Sequence, residues 1–326
     1  MSGVAMVTGG AGFVGRYLVD RLRATGARVR SFDLAAPRHE DDIQGSVTDP
    51  GALARATVGV DVVYHLAGIA DLWARDPARF DKINGEGTAF AVRAAREAGV
   101  KRFVHCSSLT TLVGRQTPVG CSTADETKRL EPADMLGAYP RSKLEAERIV
   151  EEAAADGLDA VIVLPTEPLG PGDENLTPPT KMILDFARGA TPAYIDCTLN
   201  FVPADSLAEG MIAAGAKGRA GERYLLGGEN TPMTTLLAEI AEASRTPAPR
   251  VKMPYWVALG VGVIDTKLVA AVTGKAPTAP LTGVRLAGRQ VEFSSEKAAR
   301  ELGWRADPWR PALQATIKAF RKSGLL

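Results

Sequence analysis

One short run near the start of the chain constrains its fold more than any other feature. Thr8-Gly9-Gly10-Ala11-Gly12-Phe13-Val14-Gly15 follows the apolar stretch Val4–Val7 and opens a helix-compatible stretch over 12–24. It reads as G-x-x-G-x-x-G from Gly9 and as G-x-G-x-x-G from Gly10. Without side chains, the backbone N–H groups of such a loop can approach a pyrophosphate at the positive end of the helix. Asp33 ends the next apolar run, 18 residues after Gly15, where a carboxylate can accept hydrogen bonds from an adenosine ribose. The pattern predicts dinucleotide binding, with Gly9, Gly12, Phe13, Val14 and Gly15 at the pyrophosphate and Asp33 at the ribose. A carboxylate there repels a 2′-phosphate, so the expected cofactor is NAD(H) and not NADP(H). Arg30 and Arg38, on either side of it, read as solvated surface charges.

The rest of the first half repeats the same alternation. Ala27–Phe32, Val60–His65, Arg102–Cys106 and Ala160–Leu164 read as strands, and helices are expected at about 51–57, 86–98 and 139–155. Strands alternating with helices imply an α/β fold, a doubly wound parallel sheet of the Rossmann type with helices on both faces. The last helix offers i,i+4 pairs, Lys143/Glu147 and Arg148/Glu152. After Pro165 a cluster of Pro and Gly breaks regular structure, which places a domain boundary there. Residues 1–165 are expected to bind the cofactor and 166–326 mainly the substrate, in a smaller interleaved domain. Phe201–Pro203 and Tyr224–Leu226 look like strands returning to the sheet edge, within a segment of about 200–228.

Composition narrows the function. With 39 basic and 38 acidic residues and no basic run, a nucleic-acid ligand is not expected. Cys106, Cys121 and Cys197 form no CxxC pair, and His39, His65 and His105 share no ligand spacing, so neither a metal site nor a disulfide framework is expected. The first residues carry no basic leader or cleavage pattern, which points to the reducing cytoplasm.

Tyr139-Pro140-Arg141-Ser142-Lys143 sets a phenol and an ammonium four residues apart on one helix face. A neighbouring cation lowers a phenol from its ordinary value near ~10 and suits it to acid–base work on a carbonyl or alcohol. The plainer alternative is that Tyr139 packs and Lys143 pairs with Glu147. Cys106-Ser107-Ser108-Leu109-Thr110-Thr111 ends a strand where a doubly wound sheet gathers its ligands, so a hydroxyl there can hold a substrate oxygen or cap the following turn.

These motifs occur in the order glycine loop, Asp33, His65-Leu66-Ala67-Gly68, Asn84-Gly85-Glu86-Gly87-Thr88, Ser107-Ser108, Tyr139-x-x-x-Lys143. In that order, the chain resembles the extended short-chain dehydrogenase/reductase superfamily over nearly its whole length. Tyr139-Pro140-Arg141-Ser142-Lys143-Leu144-Glu145-Ala146-Glu147, Arg223–Asn230 and Phe293–Ala298 resemble the branch of 3β-hydroxysteroid dehydrogenases, dihydroflavonol reductases and hopanoid-associated epimerase-like proteins. The resemblance implies a catalytic triad of Ser108, Tyr139 and Lys143, with Tyr139 as proton donor, Lys143 on the nicotinamide ribose and Ser108 on the substrate oxygen. It adds Ser46, Val47, Leu66, Ala67, Gly68, Pro165 and Thr166 to the cofactor side, and Leu109, Thr110 and Glu167 to the substrate side. It also implies a homodimer through the helix bearing Tyr139 and the helix near 86–98. Two departures stand out. Ser46 replaces an acidic residue, leaving the adenine contact to backbone, and Val163-Leu164-Pro165-Thr166-Glu167 replaces the Arg and Asn of nucleotide-sugar epimerases. Glu167 would repel a diphosphate.

Pro254–Ile264 continues through Asp265 and Lys267 into Leu268–Val272. It is short and charged for a membrane span, which needs about 20 apolar residues. A buried or partly buried helix pair is the first expectation; an apolar lid or an interfacial surface making peripheral membrane contact over 254–272 is the alternative. Arg285 and Arg289 read as surface charges, with the mouth of the cleft as the other placement. Together these features predict an NAD(H)-dependent oxidoreductase interconverting a ketone and a secondary alcohol on a bulky, largely apolar small molecule: a sterol, a flavonoid-like compound or a long-chain 3-keto lipid. The alternatives are a nucleotide-sugar epimerase or dehydratase with tightly bound NAD, and a cofactor-sensing scaffold.

Overall fold

In the computed structural model, which describes residues 3–326, the apolar runs become strands β1 (Val4–Thr8), β2 (Arg28–Asp33), β3 (Ile43–Gln44), β4 (Val62–His65), β5 (Arg102–Cys106) and β6 (Ala160–Pro165). A seventh, β7 (Arg223–Leu226), arrives from far along the chain and pairs with β6. All pairings are parallel, in the order β7-β6-β5-β4-β1-β2-β3. Parallel strands need crossovers, supplied by α1 (Phe13–Ala24), α2 (Pro50–Thr57), α3 (Gly87–Glu97), α4 (Ala138–Ala155) and α5 (Ala204–Lys217). Asp49 accepts a 3.0 Å bond from the Ala52 nitrogen and Pro50 follows it, which starts α2 where its apolar face begins.

The middles of the main strands are apolar on both sides because both sheet faces are covered. Met6, Phe32, Val63, Phe103 and Ile162 pack with Leu53, Val92 and Val150 of α2, α3 and α4 on one face. Val7, Val29, Tyr64, Val104 and Val163 pack with Leu18, Leu22, Leu207 and Met211 of α1 and α5 on the other. Strand order reverses beside β1, so the carboxyl ends of β1 and β4 lie together at the point where such sheets open a crevice.

Three expectations change. Tyr224–Leu226 does return to the large sheet, but Phe201–Pro203 does not: the strand Thr198–Pro203 is the centre of a separate sheet between Glu229–Pro232 and Glu167–Leu169. Phe201 there faces Trp309, Leu236 and Ile240 in a core of its own. The helix near 86–98 begins earlier, with a wider turn over Asp81–Glu86 that feeds α3. The i,i+4 pairs of α4 do not form, since Lys143 reaches the Cys106 carbonyl and Arg148 reaches Glu131.

The apolar stretch is one continuous helix, α6 (Tyr255–Thr273), 19 residues, long and apolar enough to cross a membrane by length and composition. It is not a buried pair: Trp256, Ile264, Leu268 and Val272 are 75%, 55%, 62% and 88% exposed. Its inner face meets α7 (Leu281–Ala287), and Asp265 and Thr266 turn inward to accept from the Ala279 and Leu281 nitrogens, at 2.8 and 2.9 Å, so the charged interruption does not break the helix.

Candidate active site

The glycine loop is held open by geometry that larger residues would disrupt. Gly9 has φ of 72°, and a Cβ there would come within 2.8 Å of the Ala67 nitrogen. At Gly15 a Cβ would collide with the Gly9 carbonyl oxygen. Behind the loop, Thr8 Oγ1 accepts from the Ala67 nitrogen at 3.2 Å and bonds His65 Nδ1 at 2.8 Å. His65 Nε2 meets Thr88 Oγ1 at 3.1 Å, and burial pushes the imidazole down to about 3, so a neutral ring ties β1, β4 and α3 together. Leu66, Ala67 and Gly68 therefore pass directly across the mouth of the crevice.

Asp33 stands at the end of β2 with one oxygen accepting from the Ala11 nitrogen at 3.0 Å and the other from the Ala35 nitrogen at 3.1 Å. It lines a small cavity with Gly10, Ala11, Ser31 and Arg38. Arg30 is not a free surface charge: it donates to the Ala56 carbonyl and, at 3.0 Å, to the Val58 carbonyl at the end of α2. Ser46 turns to Thr48 Oγ1 at 2.7 Å, and Val47 is buried against Gly87. Phe13 and Val14 begin α1, where Phe13 is buried and Val14 packs against the core. Pro165 closes β6, and Thr166 beyond it is buried with its hydroxyl lacking a partner among the described residues. The side-chain-free cradle and this orphaned hydroxyl, both at carboxyl ends of strands, fit an extended dinucleotide.

The reacting groups converge at the end of β5. Tyr139 is buried beside Phe80, and the Ser108 hydroxyl acts on its phenol in the direction that lowers it. Ser108 Oγ accepts from the Thr110 nitrogen at 3.2 Å and from Thr110 Oγ1 at 3.1 Å, so it caps the turn Leu109–Leu112 as well as facing the phenol. The capping alternative for this hydroxyl therefore holds. Leu109 packs into the core and Thr110 serves Ser108.

The expected lowering of the phenol is not seen. Burial pushes Tyr139 up to about 12 although the Ser108 hydroxyl acts in the opposite direction, and the Lys143 ammonium lies 2.5 Å from the Cys106 carbonyl. Burial also pulls Lys143 below its ordinary value.

Two supporting arrangements escaped the sequence reading. Asn84 Oδ1 accepts from the Ile69 nitrogen at 2.8 Å and its Nδ2 donates to Ser142 Oγ at 2.9 Å, which fastens the loop after β4 to the helix of Tyr139. Glu147, one turn beyond Lys143, lies 2.9 Å from Arg223 Nη2, with the side chains only 1% and 2% exposed. Ser107 also donates to Glu147, and Arg223 donates to the Lys128 carbonyl at 2.9 Å. An arginine inside the apolar strand Arg223–Leu226 was the available signal, since a buried charge needs a partner. Glu147→Ala is expected to lower stability by about 3–5 kcal/mol by stranding that guanidinium, measured as a shift of the urea midpoint at constant slope. A shift within experimental error would mean that Arg223 finds water or another acceptor.

Glu167 accepts from the Asn200 nitrogen at 2.8 Å, and burial lifts its carboxyl to about 7. Its repulsion of a diphosphate is thus weaker at neutral pH than a fully ionised carboxylate would give. Arg289 is half-buried and donates to the Thr117 carbonyl at 2.6 Å, not a free surface charge.

A doubly wound sheet with a glycine cradle, an acid after β2 and a Ser-Tyr-Lys cluster defines a nucleotide-dependent acid–base enzyme. The profile of the NAD dependent epimerase/dehydratase family matches residues 5–227, and the chain belongs to that family, within the extended short-chain dehydrogenase/reductase superfamily. It is an NAD-dependent enzyme. Among curated relatives it is 32% identical to a protein of Synechocystis sp. provisionally named a dihydroflavonol 4-reductase, covering 99% of this chain and 96% of that one. It is 31% identical to sterol demethylase protein B of Methylococcus capsulatus, over 98% and 99%. The solved structure of gox2253 superposes with a TM-score of 0.85 at 34% identity over the full length of both chains.

Proposed function

We propose that the chain is an NAD(H)-dependent oxidoreductase that interconverts a ketone and a secondary alcohol on a bulky, largely apolar molecule: a sterol, a flavonoid-like compound or a long-chain 3-keto lipid. The observation that carries this reading is the convergence of Ser108, Tyr139 and Lys143 at the carboxyl end of β5. When bound, the nicotinamide supplies or takes the hydride. Gly9, Gly12, Gly15 and Asp33 hold the dinucleotide, with Thr166 offering its free hydroxyl. Ser108, oriented by Thr110, donates its proton toward the substrate oxygen. Tyr139 keeps its own proton at neutral pH and delivers it to that oxygen as the carbonyl is reduced. The buried ammonium of Lys143, four residues on along the same helix and now held by the Cys106 carbonyl, would have to turn toward the phenolate to stabilise it.

Support for the apolar substrate comes from the run Val163–Glu167, which replaces the Arg and Asn that nucleotide-sugar epimerases present after this strand. Relatives named for sterol and flavonol chemistry support it further. We also propose a homodimer through α3 and α4, whose outer faces carry Phe90 and Ile149 beside an open groove lined by Asp81, Glu86 and Arg141.

Incubation with NADH and a panel of sterol, flavonoid and 3-keto lipid ketones tests the reading. The expected result is loss of the reduced-nicotinamide absorbance with at least one of these classes. Interconversion of nucleotide sugars with no net change in that absorbance would replace it with the epimerase reading.

A further inference from the structure

The outer face of α6 exposes Trp256, Val261, Ile264, Leu268, Val269 and Val272. Few surfaces of a folded chain carry that many large apolar side chains on one helix, and such patches mark contact with another apolar phase. The inner face is already used. Ala258, Gly262 and Ala270 are buried, Gly262 lies against Val284 of α7, and Asp265 and Thr266 are bonded to the backbone of residues 279 and 281. With its inner face fastened to α7, the helix presents only its outer face to an apolar phase in this fold.

Charge decides what covers the outer face. From Arg250 to Arg289 the chain holds six basic residues and one acidic residue, although the whole chain is nearly neutral. That one acid, Asp265, is the residue turned inward. Lys252 is paired with Asp196 at 2.6 Å, but Lys267 and Lys275 are exposed and Arg75 lies against Gly274 at the end of the helix, and none of these three has an ion-pair partner among the described residues. Apolar side chains flanked by unpaired cations, with an exposed Trp at one end, match an anionic lipid surface and not a second copy of the same cationic face.

We infer that α6 lies in the headgroup region of a bilayer carrying anionic lipid and seats the enzyme with its cleft beside the membrane. The path from helix to cleft is short. Thr282 of α7 packs against Gly137, the residue that begins the helix of Tyr139, and Leu72 packs against Gly283. Asp71, next to Leu72, acts on the Tyr139 phenol. A lipophilic ketone could therefore pass from bilayer to site without crossing water; this last step rests on the proposed function, whereas the docking itself does not.

Flotation of the full chain with vesicles tests the docking independently of turnover. The unmodified protein is expected to float with phosphatidylcholine/phosphatidylglycerol vesicles and less with phosphatidylcholine alone. The double variant Leu268→Glu/Val272→Glu, at exposed positions outside the site, should lose at least about tenfold in the bound fraction ratio, with unchanged reduction of a small water-soluble ketone. Absence of flotation, or equal flotation of the variant, would overturn the inference. So would a halved mass of the variant by light scattering without lipid, which would make the face a subunit contact, and so would retention of the unmodified protein after alkaline carbonate washing, which would mean insertion across the bilayer.

Discussion

Tyr139→Phe is expected to lower kcat by about 10²–10⁴-fold while leaving NADH binding within about threefold. The substitution removes one oxygen from a buried ring that packs against Phe80, so the fold has little reason to respond. What is lost is the phenol on which the Ser108 hydroxyl acts. The phenol is held up to about 12 in the ligand-free protein, so it enters the reaction protonated, as a donor to a ketone must. Burial sets that value, and the Lys143 ammonium is turned to the Cys106 carbonyl instead of the ring. Lys143→Met should then impair both turnover and cofactor affinity, a pattern distinct from that of Tyr139→Phe. Steady-state kinetics with NADH titration by fluorescence separates the two; unchanged turnover in Tyr139→Phe would remove the tyrosine from the chemistry.

The second large effect concerns the cofactor. NADH is expected to outperform NADPH by at least about tenfold in kcat/KM, equivalent to ~1.4 kcal/mol. Asp33 is fixed by the Ala11 and Ala35 nitrogens, so its carboxylate cannot swing away from a ribose at the end of β2. A phosphate of nearly two negative charges beside it would need a cation. Most nearby arginines are committed elsewhere: Arg16 to Glu174, Arg23 to Asp42, Arg28 to Asp41 and Arg30 to the end of α2. Arg38 lines the same cavity and has no ion-pair partner among the described residues. Asp33→Ala should narrow the preference chiefly by weakening NADH. Equal use of NADPH by the unmodified protein would mean that Arg38 outweighs the carboxylate.

Much of this was legible in the sequence because it depends on local pattern. The strands β1, β2, β4, β5 and β6 are centred on short apolar runs, and a sheet covered on both faces buries both sides of such runs. The glycine loop and the Tyr139/Lys143 spacing are local as well. What the sequence could not convey depends on distant partners. Phe201–Pro203 looks like any edge strand until Glu229–Pro232 and Glu167–Leu169 are found beside it. The direction of the Tyr139 shift depends on how deeply the ring is buried, which spacing along a helix does not encode. An apolar helix reads the same in a core and on a surface, so the exposure of α6 appears only once α7 covers one of its sides. Glu147 was read as the partner of Lys143 because helical neighbours are visible in sequence, whereas Arg223 is not.

Transfer of deuterium from NADH carrying the label at the reactive nicotinamide carbon tests the central claim most directly. With an accepted apolar ketone, the account predicts an alcohol labelled at the carbinol carbon, oxidised cofactor accumulating in equal amount, and loss of both in Tyr139→Phe. A substrate that is altered in configuration while the cofactor shows no net oxidation, with the label remaining on the enzyme, would contradict it.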